Sequence, residues 1–247
     1  MFKGVFFDLG GTLVSYDNVN RTHAPLLMEA ASRIAPHHPS QAIKQAYGRA
    51  VQEITEQYAE KDYYLHRDFF LDSFMRCFDL LDARTDAATL AWYQQEHLAR
   101  LRDCLALKPD CHETLAALKA RGLYLSVVSN IDDDMLEPII ARDALHTWLD
   151  HWTSSEAARS CKPHARFFEI CLEKSGLAPG EVLFVGDSPE HDIDGAARVG
   201  MRTALIVNPG SEPPLQSGRA RHAPDYVIHD LKSLVGLLDA GAGKPGV

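Results

Sequence analysis

The sequence predicts an α/β protein: a doubly wound, mostly parallel, Rossmann-like sheet with an inserted all-helical domain. Three observations predict it. Short apolar runs, typical of strands buried on both faces, begin near residue 4 and recur in the second half of the chain, alternating with helical patterns. Between about residues 15 and 104 only helical periodicity occurs. Three apolar runs end at an acidic or hydroxyl side chain, where open α/β sheets build active sites.

The first strand lies within Gly4–Leu13 and ends at Asp8, before two glycines that let backbone approach a ligand. The polar stretch Val14–Asn18 is predicted to be a connector. Four amphipathic helices follow as a separate bundle, with Ser40 as the expected N-cap of the second. The predicted boundaries are a core of residues 1–14 and 105–240, a helical domain of 15–104 and a disordered tail of 241–247.

Strand and helix alternate after residue 105. Asp110 and Glu113 have capping-box spacing at the start of a helix. The next strand ends at Ser129, and Pro163 is expected at the first position of a later helix. Another buried strand leads to Asp187, a further strand is expected at 203–207, and residues 226–228 are expected to be an edge strand or an extended segment. The carboxyl ends of parallel strands share one rim, so these polar residues should lie together.

Composition excludes several classes of function. With 247 residues, 46% of them hydrophobic, the chain can bury a substantial core. A net charge of -9 makes attraction to nucleic acid or to an anionic membrane unexpected. The five cysteines lack C-x-x-C spacing, which favours reduced thiols in a cytoplasmic protein. The N-terminal residues resemble neither a signal peptide nor a membrane span. A small-molecule partner is expected.

Four segments in fixed order resemble the motifs of the haloacid dehalogenase superfamily of aspartate-nucleophile hydrolases, over about residues 2–230. Asp8 matches the nucleophile, Ser129 the hydroxyl of the second motif, and Lys162 the lysine of the third. Asp187 and Asp192 match the acidic pair of the fourth. The resemblance is to the phosphoglycolate phosphatase-like and 2-haloacid dehalogenase-like members. It implies that the first strand is central and that the helical insert is a cap over the active site.

Several carboxylates on one rim repel each other unless a cation lies between them, and Mg²⁺ with its oxygen ligands would meet that need. The resemblance implies that the metal ligands are Asp8, the backbone carbonyl of Gly10 and an acid of the fourth motif, Asp187 or Asp192. Asp192 could instead, or in addition, be a helix N-cap. Lys162 offers a compact cation for Asp8 and for a transferring phosphoryl group.

Other groups near the predicted rim could bind the phosphate. The candidates are Ser129, Asn130 and the backbone amides of Leu9 and Gly10, together with Lys162. Thr12 is expected to brace the loop after the first strand through hydrogen bonds to the backbone.

Gly10 departs from the family pattern. In the resembled phosphatases the residue two after the nucleophile is usually a second Asp, the general acid, which contributes about 10²–10⁴-fold. An enzyme without it favours substrates whose leaving group is already a weak base, such as aryl phosphates, acyl phosphates or anhydrides. Tyr16, Glu190 and His191 are near enough in sequence to be substitute acids.

These residues favour the prediction that the protein is a Mg²⁺-dependent phosphohydrolase, which acts on a small phosphorylated metabolite through an aspartyl-phosphate intermediate. Two alternatives remain: a 2-haloacid dehalogenase-type hydrolase, and a catalytically weakened member kept for binding or regulation. Asp187 in its Gly-Asp context argues against the first alternative, and the presence of Asp8, Lys162 and Asp187 together argues against the second.

Overall fold

The computed structural model describes residues 1–59, 61–208, 210, 213, 216, 218 and 220–241. The chain divides into two compact units, residues 1–16 with 106–247 and residues 17–105. The predicted disordered tail lies outside the described residues from position 242 onward, and Gly241 ends the last helix. No helix within the described ranges combines the length and apolar character that a bilayer crossing requires.

The unit of residues 17–105 has four helices in the part that the structure describes: α1 (Val19–Ile34), α2 (Ser40–Tyr58), α3 (His66–Asp79) and α4 (Ala87–Cys104). Their apolar faces share a core rich in aromatic side chains, in which the rings of Phe74 and Tyr93 stack 3.7 Å apart. Ser40 is the first helical residue of α2 rather than its cap. Pro39 takes the cap position in extended conformation, because its fixed φ suits the entry to a helix.

Among its described residues the other unit contains eight strands: β1 (Gly4–Phe7), β2 (Val14–Ser15), β3 (Ala106–Leu107), β4 (Tyr124–Ser129), β5 (His151–Ser154), β6 (Val182–Gly186), β7 (Arg202–Ile206) and β8 (Tyr226–Ile228). Six form one parallel sheet in the order β5-β4-β1-β6-β7-β8. The first strand is therefore central, between the strands of the second and fourth motifs, as the resemblance implied. The predicted α/β fold with a mostly parallel sheet is confirmed.

Six α-helices complete the described part of this unit: α5 (Cys111–Ala120), α6 (Asp133–Arg142), α7 (Ser155–Ala158), α8 (Ala165–Ser175), α9 (Gly195–Arg198) and α10 (Ser233–Gly241). The core under α8 is aromatic: the ring of Phe168 meets that of Phe184 in β6 at 5.2 Å, with Phe6 of β1 in the same cluster. Burial of these side chains, worth about 1.5–3 kcal/mol each, fixes the central strands and hence the rim at their carboxyl ends.

Three further local predictions were wrong. Val14–Ser15 is not a polar connector but pairs antiparallel with Ala106–Leu107 in a two-stranded ribbon. The Asp110 carboxylate does not cap α5; it accepts a hydrogen bond from the backbone N–H of Lys232 at 3.0 Å. Pro163 is not the first helical residue of α8, because a turn closed by the His164 N–H and the Cys161 carbonyl precedes the helix.

Candidate active site

The carboxyl ends of the central strands place three polar residues on one rim. Asp8 follows β1, Ser129 ends β4 and Asp187 follows β6. The backbone N–H of Asp8 donates to the Val185 carbonyl at 2.9 Å, so the backbone pairing of β1 with β6 continues up to the residue that bears the carboxylate. All three side chains are largely buried, at 4–7% exposure. The position predicted from strand ends is therefore the observed one.

Lys162 joins this rim from the turn before α8. Its ammonium donates hydrogen bonds to Asp8 Oδ1 at 2.7 Å, to Asp192 Oδ1 at 2.7 Å and to the Val128 carbonyl at 3.0 Å. Burial alone would lower the pKa of this lysine, but the charges of Asp192 and Asp8 and their hydrogen bonds raise it above its usual value. Lys162 is thus a permanent cation whose three donors are all used.

Asp8, Asp187 and Asp192 form a buried cluster in which one carboxylate oxygen of each lies within 4.8 Å of the others. Three carboxylates and the single ammonium of Lys162 leave a net charge of -2 if all are ionised. Burial first, then the charges of Asp8 and Asp192, raise the pKa of Asp187 to about 8. Burial also raises the pKa of Asp192, to about 6, although the charge of Lys162 has the opposite effect. Without a further cation the cluster cannot hold all its charge at neutral pH.

The two acids of the fourth motif have different partners. Asp192 accepts from Lys162 through Oδ1 and from the Ser188 backbone N–H through Oδ2 at 3.0 Å. Ser188, not Asp192, caps the π-helical turn Pro189–Asp194, with its Oγ accepting from the His191 N–H. Among the described residues, none forms a hydrogen bond or ion pair with the carboxylate of Asp187. Asp187 is therefore the acid of the pair with oxygens available for a metal.

The groups predicted to donate hydrogen bonds to phosphate lie on the same rim, but the side chain of one of them, Asn130, already has hydrogen-bond partners. Both polar ends of the Asn130 amide are bonded to the backbone of Lys162. Ser129 is buried at the end of β4, and the Leu9 carbonyl accepts from the N–H groups of Leu13 and Val14, which closes the loop after β1. Phosphate binding by Leu9, Gly10, Ser129 and Asn130 stays a prediction.

The hydroxyl of Thr12 has no hydrogen-bond partner among the described residues, so the expected bracing role is wrong. The loop after β1 is instead held by side chains from other parts of the chain. Asn208, just after β7, donates to the Gly11 carbonyl at 2.8 Å, and Lys108 donates to Asn208 Oδ1 at 2.6 Å. Lys108 also lowers the pKa of Asp187 by its charge, although burial has the larger, opposite effect.

Lys108 and Asn208 were not predicted from the sequence, and Tyr16 was predicted only as one of three possible substitute acids. Neither Lys108 nor Asn208 belongs to a motif, and Lys108 follows β3, a strand that the hydrophobic pattern did not indicate. Tyr16 packs against Gly10 and Gly11: a Cβ built on Gly10 would lie 2.7 Å from the Tyr16 Cζ and would overlap the hydroxyl oxygen. Gly10 is thus required by the neighbouring phenol.

Comparison with known proteins agrees with this geometry. The family description of haloacid dehalogenase-like hydrolases matches residues 2–200. The chain is 26% identical to (S)-2-haloacid dehalogenase 4A of Burkholderia cepacia, over 98% of this chain and 97% of that protein. It is 28% identical to a glyceraldehyde 3-phosphate phosphatase of Methanocaldococcus jannaschii, over 96% and 97%.

Among solved structures, the putative HAD-hydrolase YfnB from Bacillus subtilis, described as bound to magnesium, aligns with a TM-score of 0.75 at 18% identity. The alignment covers 96% of this chain and 99% of that one, and supports the fold alone. Together with the match over residues 2–200, the ordered rim of carboxylates and lysine identifies the chain as a hydrolase of the haloacid dehalogenase-like family.

Proposed function

We propose that this hydrolase is a Mg²⁺-dependent phosphohydrolase that cleaves small phosphorylated metabolites through an aspartyl-phosphate on Asp8. The observation that carries the proposal is the charge of the rim. Asp8, Asp187 and Asp192 face one ammonium, and Asp187 has no polar partner among the described residues. A phosphate ester would add further negative charge. A divalent cation is what makes such a site able to bind an anionic substrate.

The residues present fit Mg²⁺. They offer hard oxygen donors: Asp8 Oδ2, which Lys162 leaves unused, both oxygens of Asp187, and the backbone carbonyl of Gly10 in the same loop. Asp192 is held by Lys162 and Ser188, which favours a supporting role for it. When bound, the cation would neutralise the carboxylates and polarise phosphoryl oxygens as a Lewis acid.

In the proposed reaction an oxygen of Asp8 attacks phosphorus, and the electron pair of the breaking P–O bond goes to the leaving group. Lys162 keeps Asp8 oriented through Oδ1 and lies beside the phosphoryl oxygens as a fixed positive charge. The hydroxyl of Ser129 and the amides of Leu9 and Gly10 are the proposed donors to those oxygens. Water then attacks phosphorus of the acyl phosphate, which releases phosphate and restores the carboxylate.

The dehalogenase alternative is less compatible with the rim. Displacement of halide from carbon needs no metal, and a 2-haloacid carries a carboxylate that the unneutralised cluster would repel. The relatives' names include both chemistries, a haloacid dehalogenase and phosphatases for glyceraldehyde 3-phosphate and ribulose-1,5-bisphosphate. The charge of this chain's own residues favours the phosphatases, and hence a small phosphorylated metabolite as substrate.

The test is hydrolysis of p-nitrophenyl phosphate and of 2-chloropropionate in H₂¹⁸O, with Mg²⁺ or with a chelator. We expect hydrolysis of the phosphate only with Mg²⁺, loss of at least about 10³-fold in Asp8→Asn, and ¹⁸O in the released phosphate with Asp8 unlabelled. Dehalogenation in chelator, with ¹⁸O entering the Asp8 carboxylate through attack of water on its acyl carbon, would overturn the proposal.

A further inference from the structure

The phenol of Tyr16 fills the space that a side chain at residue 10 would occupy. A Cβ on Gly10 would overlap its hydroxyl oxygen, and a Cβ on Gly11 would lie 3.0 Å from its ring. Gly10 follows Asp8 by two residues in the same loop, so the Tyr16 hydroxyl lies beside the rim on the side of the carboxylates. Tyr16 comes directly after β2, whose pairing with β3 fixes the path of the chain there.

The Tyr16 hydroxyl is protonated at neutral pH, because the ordinary pKa of a phenol is about 10. No hydrogen bond connects the Tyr16 hydroxyl with another residue in the part of the chain that the structure describes. A neutral O–H group without a partner, placed among carboxylates, is a donor for an oxygen atom that arrives with the substrate.

We propose that Tyr16 is a catalytic residue whose hydroxyl donates a hydrogen bond to the leaving-group oxygen of the phosphate ester. The inference rests on the proposed phosphohydrolase function. As the Asp8 oxygen bonds to phosphorus, the electron pair of the breaking P–O bond collects on the leaving oxygen. The phenol stabilises that charge and keeps its own proton, and solvent water supplies the proton of the product alcohol. The effect is largest for alkoxides, which are strong bases.

The test compares Tyr16→Phe with wild type on glycerol phosphate, an alkyl ester, and on p-nitrophenyl phosphate, both with Mg²⁺. We expect kcat/KM for the alkyl ester to fall by about 10–10²-fold, as for loss of one donor, and that for the aryl ester to fall by less than about 3-fold. Tyr124→Phe is the matched control. It removes a phenol at the start of β4, away from the rim, and should change kcat/KM for neither substrate. Thermal melting verifies that each variant is folded.

Equal losses on both substrates, or no loss on the alkyl ester, would overturn the role of Tyr16 while leaving the phosphohydrolase function intact. A second measurement compares the two proteins over a series of phosphate esters from aryl to alkyl. The rate of Tyr16→Phe should fall more steeply with rising leaving-group pKa than the rate of wild type, since the hydroxyl offsets part of the developing charge, and equal slopes contradict the proposal. If wild type hydrolyses neither phosphate with Mg²⁺, the proposed function itself fails.

Discussion

Asn130 holds the backbone of Lys162 from both sides. Its Oδ1 accepts the Lys162 N–H at 2.7 Å, and its Nδ2 donates to the Lys162 carbonyl at 2.9 Å. The two residues belong to different segments, the end of β4 and the turn before α8, 32 positions apart. The amide therefore fixes the point from which the lysine side chain reaches Asp8 and Asp192. Its role in the structure is to position Lys162.

Asn130→Ala should lower kcat by about 10–10²-fold with little change in KM, because a displaced Lys162 no longer orients Asp8. Steady-state kinetics on p-nitrophenyl phosphate with Mg²⁺ gives both parameters. Asn130→Asp keeps the acceptor for the Lys162 N–H but loses the donor, and should lie between wild type and Asn130→Ala. A rise in KM without loss of kcat would instead support the predicted direct contact of Asn130 with phosphate.

The sequence predicted the members of the rim that sit at fixed positions relative to strands. Asp8, Ser129 and Asp187 follow apolar runs, and parallel strands bring their carboxyl ends together. Lys162 lies in no strand, and only the family resemblance assigned it. Which of Asp187 and Asp192 binds Lys162, and which keeps its oxygens available for a metal, could not be predicted from the sequence, because it depends on where the Lys162 ammonium lies.

What sequence could not predict is contact between distant segments. Lys108 and Asn208 are 100 positions apart and meet only because β3 and the end of β7 approach the loop of Gly11. The short ribbon of β2 and β3 was missed because two-residue strands carry no periodicity. The cap predicted at Asp110 failed for the same kind of reason: a backbone N–H from Lys232 competes for its carboxylate.

Asp187→Asn tests the metal without measuring activity. Mg²⁺ should raise the melting temperature of wild type, by an amount equivalent to about 2.7 kcal/mol at 100 times its Kd. Asp187→Asn removes one of three mutually repelling carboxylates, so it should melt no lower than wild type in chelator and gain much less from Mg²⁺. Glu113→Gln, on the exposed face of α5, is the control and should behave as wild type. An undiminished Mg²⁺ shift in Asp187→Asn would exclude Asp187 as a ligand.

The helical unit carries a pH-sensitive pair of histidines. Burial lowers the pKa of His23 to about 4, and burial, helped by His23, lowers that of His97 to about 3. Their rings lie 4.6 Å apart, the Tyr47 hydroxyl is 3.2 Å from His23 Nε2, and Arg100 lines the same small cavity. Neither imidazole can be protonated without cost while the unit stays folded.

Because unfolding restores a pKa near 6.5, the unfolded chain binds more protons below that pH, and stability falls as pH falls. From pH 7 to pH 5 each histidine should cost about 2 kcal/mol of unfolding free energy. Urea unfolding of the full chain at the two pH values measures this, and His97→Phe, which keeps an aromatic ring against Phe70, should remove about half of the loss. An unchanged pH slope in His97→Phe, or an NMR titration of His97 near pH 6.5, would contradict the prediction.

Gly10→Asp tests the relation between Gly10 and Tyr16 directly. Gly10 is not at positive φ, so backbone conformation does not forbid a side chain; the phenol of Tyr16 does. We expect Gly10→Asp alone to lower turnover of both alkyl and aryl phosphates, because its Cβ displaces Tyr16 and distorts the loop that bears Asp8.

Tyr16→Ala opens the space but removes the hydroxyl, so it should lose mainly activity on the alkyl ester. In the double variant an acidic side chain takes the vacated position beside the rim. Alkyl ester turnover should then rise above that of Tyr16→Ala by up to about 10²-fold, with little change on the aryl ester. Additive losses in the double variant would show that the two residues do not share one space.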